Sequence, residues 1–260
     1  MARDRGDPAR ASGRISMELA VILIAMAIGA LIKGVTGAGL PQIAIPVIAT
    51  FLGVEAAVVI MSIPGVLTNT WLLAQHRHYR TEARDLPWLL VMGTIGAVVG
   101  TWLLKSLDER ILSLILAGVI FLYITVFLSK PHLSLPAHVT RFTSPLVGSV
   151  AGLLQGSTGM SGPVLITYLH SFRMRREAYV FALTLLFQVY ALIQTITLVW
   201  VGLYTQTRLV YSLLSLIPIM LFMRGGVELG KKLSRRTFEY AILVVMFATA
   251  VKLIYDGLFA

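Results

Sequence analysis

Apolar runs of close to 20 residues recur along the 260-residue chain, and they constrain its fold more than any other feature. A helix of about 20 apolar residues covers the ~30 Å hydrocarbon core of a bilayer. Hydrophobic residues make up 57% of the sequence and charged residues only 13%, whereas a soluble domain carries roughly 25% charged residues. The mean hydropathy is +0.83. The sequence therefore predicts an all-α polytopic membrane protein.

The net charge of +10 comes mainly from Lys and Arg in short loops between the apolar runs. Such residues set the orientation of helices in a membrane, so we expect no nucleic-acid partner. The chain has no cysteine, which excludes disulfides, thiolate metal sites and cysteine nucleophiles. Its five histidines lack metal-ligand spacing, and the apolar runs hold no catalytic cluster. We predict no metal, no cofactor and no enzymatic activity.

Ten apolar segments can be assigned. They are 17–33, 41–52, 54–75, 86–104, 111–128, 145–155, 163–171, 177–203, 209–223 and 238–255. The stretch 130–136 contains two prolines, which make helix continuation unfavourable. We divide the chain into an N-terminal tail (1–16), a first transmembrane repeat (17–128), a linker loop (129–141) and a second transmembrane repeat (142–260).

One helix-breaking element occurs twice, 122 positions apart: residues 34–41 read GVTGAGLP and residues 156–163 read GSTGMSGP. Identical residues meet at this offset at eight positions, for example Glu55 with Glu177, and the offset drifts later to 126. This pattern predicts an internal duplication with five segments in each half. If the first two segments of each half form a re-entrant hairpin, the half crosses the membrane three times. If all five segments span the membrane, the half crosses it five times. Both numbers are odd and predict inverted repeats, whereas a broken pair that made one crossing would leave the halves parallel.

Loop charges predict the orientation. With the N- and C-termini outside, the basic loops 76–85, 129–141, 173–176 and 231–236 all face the cytoplasm, as the positive-inside rule favours. We expect a multi-pass protein of the cytoplasmic (inner) membrane.

The repeated element has the chemistry of an anion site. Backbone that is not helical in mid-membrane must be buried in protein or line a wet cavity. Pro41 and Pro163 suit the first turn of a helix, and a helix N-terminus offers free N–H donors and a partial positive charge. The alternative is that the glycines serve close helix packing. The predicted substrate-binding residues are Lys33, Gly34, Thr36, Gly37, Ala38, Gly39, Gln155, Gly156, Thr158, Gly159, Ser161 and Gly162.

Lys33 ends an apolar run directly before the first element, and its counterpart in the second is neutral Gln155. An intramembrane lysine is a functional candidate by default. It can pair with the anion or carry a coupling proton; alternatively it snorkels to an interface or pairs with Glu55. Glu55 and Glu177 are also coupling candidates, or they stabilise helix N-termini. Four polar residues are candidates for lining the path, or for bonds between helices: Ser62, Asn69, Thr184 and Gln188.

These residues resemble the TauE/SafE family of sulfite exporters. The resemblance rests on residues 33–39 (KGVTGAG) followed by Pro41 and Pro46, on residues 155–159 (QGSTG), and on the two-half layout from about Met17 onward. It implies transport of small sulfur oxyanions such as sulfite, sulfonates or sulfoacetate, driven by an ion gradient.

We therefore expect a secondary transporter that moves such an oxyanion by alternating access around the two helix breaks. The alternatives are a passive anion channel and a membrane assembly or structural subunit that does not transport. The expected partners are the oxyanion and the lipid bilayer, with a homo-oligomer left open.

Overall fold

The computed structural model describes residues 8–36, 39–82, 86–129, 137–172, 174–230 and 235–259. This part of the chain forms helices and no strand. The helices are α1 (Pro8–Thr36), α2 (Leu40–Leu52), α3 (Val54–Gln75), a 3₁₀ helix (Arg77–Glu82), α4 (Pro87–Ser106), α5 (Glu109–Ser129), α6 (Ala137–Thr158), α7 (Gly162–His170), α8 (Arg176–Trp200), α9 (Gln206–Leu214), α10 (Leu216–Gly230) and α11 (Arg235–Phe259).

Seven helical stretches of the described residues are long and apolar enough to cross a membrane. Helices suit such residues because a helix satisfies its own backbone hydrogen bonds, which hydrocarbon cannot do. The predicted all-α membrane fold is confirmed. The seven stretches lie in α1, α3, α4, α5, α8, the α9–α10 pair and α11.

Some helix boundaries differ from the sequence expectation. Helix α1 begins at Pro8 and not at Met17, and α6 begins at Ala137 and not at residue 145. Hydropathy marks only the apolar part of a helix, whereas the backbone continues through polar residues. The predicted segment 209–223 is interrupted between α9 and α10 at Ser215. Pro218 explains the break, because it has no N–H to donate to the carbonyl four residues earlier.

Two pairs of helices form hairpins at the repeated element. Helix α2 has 13 residues and α7 has nine, so both are shorter than the ~20 residues that cross a bilayer. Helix α2 packs back on α1, where a Cβ at Gly29 would lie 2.9 Å from the Leu40 carbonyl oxygen. Helix α7 packs back on α6, where the Tyr168 hydroxyl is 2.7 Å from the hydroxyl of Thr143. The chain therefore contains two broken helix pairs, α1–α2 and α6–α7.

Glycines hold each hairpin against another helix. A Cβ at Gly34 would lie 2.4 Å from the Met223 carbonyl oxygen of α10, and one at Gly156 would lie 2.3 Å from the Ala97 carbonyl oxygen of α4. Small residues allow helix backbones to approach this closely in membranes. Gly34 and Gly156 therefore serve helix packing, which was the alternative interpretation of the glycines. Gly152 extends the α4 contact one turn earlier, because a Cβ there would lie 2.0 Å from the Gly93 carbonyl oxygen.

Candidate substrate-binding site

A cavity of about 1030 Å³ lies between the two hairpins and the long helices α3 and α8. Gly39 and Pro41 line it from the first hairpin, and Gly159, Ser161 and Gly162 line it from the second. The two helix breaks, 122 positions apart in sequence, thus face one space.

Glycine makes each break. Gly39 has φ 113° and Gly159 has φ 70°, a region that residues with a Cβ rarely adopt. Helices α2 and α7 then begin with a proline in the first turn. Neither start is capped by its own N-cap side chain, because Gly39 has none and Ser161 makes no capping bond. Uncapped N–H groups at a helix start favour a negative ligand.

Lys33 is buried, with 6% of its surface exposed, and lines the cavity. Its Nζ donates hydrogen bonds to Thr68 Oγ1 (2.8 Å) and Asn69 Oδ1 (2.7 Å) on α3. Both partners are neutral. Among the residues that the structure describes, the cavity lining contains no aspartate or glutamate.

Gln155 precedes the second break as Lys33 precedes the first. It belongs to a hydrogen-bond network of neutral groups. Its Nε2 donates to Gln194 Oε1 of α8 (3.0 Å), and its Oε1 accepts from Ser161 Oγ (2.8 Å). Gln194 Nε2 donates in turn to the carbonyl oxygens of Gln155 (2.6 Å) and Gly156 (3.2 Å). The network fixes the end of α6 and the start of α7 relative to α8.

Gln42 and Gln194 line the cavity but were not among the predicted site residues. Gln42 of the first hairpin lies close to the second, since a Cβ at Gly162 would lie 3.0 Å from Gln42 Nε2. Both are amides within strongly apolar helices. A single amide in an apolar run is the sequence feature that could have identified them as site candidates.

Of the other predicted residues, some line the cavity and some do not. Ser62, Asn69 and Thr184 line the cavity. Gln188 lies outside the lining; its Nε2 donates to Thr70 Oγ1 (2.9 Å), and its buried Oε1 has no partner. Thr158 also lies outside the lining, with its hydroxyl donating to the Leu154 carbonyl (2.7 Å). Gly37, Ala38 and the side chain of Thr36 lie outside the described residues.

Neither glutamate lines the cavity. Glu55 pairs with Arg208 at 2.7 Å, and Glu177 lies in the first turn of α8, where a carboxylate favours the helix dipole.

The two ends of the cavity differ. One end reaches the surface at His170 and Arg176, which are both exposed. The other end is covered by the loop between α8 and α9, whose Tyr204 hydroxyl is hydrogen-bonded to Ser62 in the cavity lining. Lys105 Nζ holds this loop at the Val201 carbonyl (2.7 Å).

Arg208 also holds the loop, because it donates to the Leu203 carbonyl (2.9 Å) while it pairs with Glu55. The described structure is thus open at the start of α8 and closed beyond its end.

A cavity between two helix breaks, within a bundle of helices long enough to cross a bilayer, is an arrangement that a membrane permease can use. The family model described as Sulfite exporter TauE/SafE matches residues 21–253. The chain therefore belongs to the TauE/SafE family of membrane transporters, as the sequence resemblance indicated. No curated protein and no solved structure matches the chain.

Proposed function

We propose that the protein is a secondary transporter of a small sulfur-containing oxyanion, such as sulfite, a sulfonate or sulfoacetate. The anion binds between the two helix breaks, and its movement is coupled to an ion or proton gradient. The observation that carries this proposal is Lys33, a buried lysine with neutral partners in a cavity whose described lining has no carboxylate.

The burial of Lys33 has an electrostatic cost. A buried ammonium group is unfavourable unless an opposite charge or several hydrogen bonds compensate it. Thr68 and Asn69 supply hydrogen bonds but no charge. A bound oxyanion supplies the charge. The starts of α2 and α7 add N–H donors from two sides.

The broken pairs also support the proposed inverted repeat. The polar residue before each break bonds the next long helix of its own half: Lys33 reaches Thr68 and Asn69 on α3, and Gln155 reaches Gln194 on α8. The separations along the chain are similar, at 35, 36 and 39 positions.

Contacts at the closed end of the cavity support opposite orientations of the two halves in the membrane. Val54 N–H at the start of α3 donates to the Glu109 carboxylate at the start of α5 (2.5 Å). Lys105 near the end of α4 reaches Val201, just beyond α8. In the arrangement we infer, α3 starts at the closed end and α8 finishes there, and each half makes three crossings after its hairpin.

Alternating access fits the unequal ends of the cavity. In our proposal, the described conformation exchanges the anion through the open end at Arg176. In the alternate conformation, the hydrogen bond between Tyr204 and Ser62 breaks and the other end of the cavity opens. The closed end favours this mechanism over a passive channel, which needs a continuous path. The basic turn 173–176 borders the open end, so the positive-inside rule favours a mouth facing the cytoplasm and termini outside.

Flux in proteoliposomes tests the proposal. We expect sulfite or methanesulfonate uptake that depends on an imposed proton or ion gradient and is lost in Lys33→Gln. Lys252→Gln is the matched control, since Lys252 is exposed and pairs with Asp256 four residues later. Equal flux with and without every gradient would indicate a channel, and no flux of any anion would contradict transport.

A further inference from the structure

We propose that residues 202–215 form a hinged lid over the closed end of the cavity. The lid swings away from α3 while α10 stays packed on α1, so this end opens without rotation of one half of the protein against the other. The proposal rests on the alternating access of the proposed function and specifies the segment that moves.

The first boundary of the lid is Gly202. Its φ is 77°, in the left-handed region that glycine adopts readily, and a Cβ at this position would meet nothing within 4 Å. Directly before it, Lys105 Nζ of α4 holds the Val201 carbonyl oxygen at 2.7 Å. The chain is therefore anchored at residue 201 and not restrained by side-chain packing at residue 202, as a hinge requires.

The second boundary is the break between α9 and α10. Pro218 has no N–H, so the Leu214 carbonyl oxygen receives no helical hydrogen bond from position 218. The next bond in the series, from Ile219 N–H to the Ser215 carbonyl oxygen, has a nitrogen–oxygen distance of 3.5 Å, which is long for a hydrogen bond. Two consecutive helical bonds are thus missing or weak, and the helix bends easily at this point.

The helices on either side of this break pack on different partners. Helix α10 packs on α1, where a Cβ at Gly226 would lie 2.3 Å from the Leu31 carbonyl oxygen. Helix α9 packs mainly on α3. Its Tyr211 hydroxyl lies 3.5 Å from a carboxylate oxygen of Glu18 on α1, again a long hydrogen bond. The stretch Gln206–Gly226 has the length of one membrane crossing, yet its two helices belong to different packing units.

Three polar contacts fasten the lid to α3. They join the Tyr204 hydroxyl to Ser62, Arg208 to Glu55 (2.7 Å) and Ser212 Oγ to the Ile60 carbonyl oxygen (2.9 Å). Both side chains of the ion pair are partly exposed. Such a pair adds little stability, because water can replace either partner. These contacts hold the lid closed in the described conformation and can break and re-form in each transport cycle.

The lid is also bonded internally. Thr205 caps α9, with its Oγ1 accepting from the Arg208 N–H at 3.2 Å. The Arg208 guanidinium donates to the Leu203 carbonyl oxygen at 2.9 Å while it pairs with Glu55. The loop and α9 therefore move as one piece, and release of Arg208 from Glu55 frees both.

Cross-linking tests whether the lid must move. The chain has no cysteine, so Glu55→Cys and Arg208→Cys can be linked selectively in the full-length protein with a bis-methanethiosulfonate reagent that spans the former ion pair. We expect linking to abolish gradient-dependent methanesulfonate flux in proteoliposomes, relative to the same variant before linking, and a reductant to restore it. The control links Lys252→Cys to Asp256→Cys, one turn apart on α11, and should leave the flux unchanged.

Double electron–electron resonance distinguishes a hinged lid from movement of a whole half. Spin labels at Thr207→Cys and Ser106→Cys measure α9 against the end of α4, and labels at Met220→Cys and Ser106→Cys measure α10 against the same point; all three positions are exposed. Tyr204→Phe with Arg208→Gln removes two of the three contacts to α3. We expect this double variant to shift the first distance beyond the width of its wild-type distribution and to leave the second distance unchanged.

The outcomes separate the lid from the proposed function. The lid is contradicted if linking leaves the flux intact, if both spin-label distances shift together, or if neither distance shifts in a folded double variant; gradient-dependent flux of the wild type would still support the proposed function. If the wild type moves no anion under any gradient, the proposed function and the transport role of the lid are both contradicted.

Discussion

The two hairpins share a backbone plan and differ in chemistry. Each has a left-handed glycine, Gly39 or Gly159, followed by a short helix with a proline in its first turn. Before the break, the first hairpin has a buried cation held by α3, and the second has a neutral amide held by α8. The two hairpins therefore have a similar backbone around the break, whereas the residue before the break gives each a different charge.

The hydroxyl of the second hairpin illustrates this division. Ser161 lines the cavity, but its hydroxyl donates to Gln155 Oε1. Ser161 therefore orients the amide of Gln155 in addition to lining the cavity. The first hairpin has Gly39 at the matching position, with no side chain to do the same.

The largest predicted effect concerns what the hairpins share, their close packing on neighbouring helices. Gly34→Val and Gly156→Val each place a side chain within 2.4 Å of backbone on α10 or α4, so we expect both variants to fail to fold. Fluorescence-detected size exclusion measures this. Gly118→Val is the control, because a Cβ at Gly118 meets nothing within 4 Å. A monodisperse Gly34→Val or Gly156→Val protein would contradict the packing role.

The second predicted effect concerns the hydrogen bonds between Gln194 and the second hairpin. Gln194→Leu removes the hydrogen-bond partner of Gln155 Nε2 and of the Gly156 carbonyl oxygen, while the Gln155 carbonyl oxygen still accepts from Gly159 N–H (2.8 Å). Each buried unsatisfied group costs about 1–3 kcal/mol. We expect a lower melting temperature and weaker anion binding. Gln206→Leu is the control on an exposed amide. The account of the second hairpin is wrong if Gln194→Leu melts and binds like the control.

The smallest predicted effect is at Thr158. Its hydroxyl bonds the Leu154 carbonyl and accepts from Met160 N–H (3.3 Å) instead of lining the cavity. We expect Thr158→Val to change the Kd for methanesulfonate less than twofold, while Thr158→Ser serves as the conservative control. A tenfold loss in the valine variant would return Thr158 to the anion-binding residues.

Much of this architecture could be predicted from the sequence, because hydrocarbon leaves the backbone few choices. Apolar runs identified the helices, and the repeated element located both breaks. Lys33, singled out because it precedes the first break, is buried in the cavity lining, and its role stays a prediction. Gln194 was missed because the repeat offset drifts, so its pairing with Gln155 across 39 positions had no visible counterpart. The role of Gly34 was ambiguous, since a small residue allows either a ligand or another helix to approach.

The most direct test of the central claim is the affinity of purified Lys33→Gln for methanesulfonate, compared with the wild type and Lys252→Gln. Removing the only buried cation of the described cavity lining should weaken binding by about 100-fold, since a hydrogen bond to a charged group contributes about 1.5–3 kcal/mol. Lys252→Gln should bind like the wild type. If folded Lys33→Gln binds methanesulfonate within twofold of the wild type, the anion site is not where we place it.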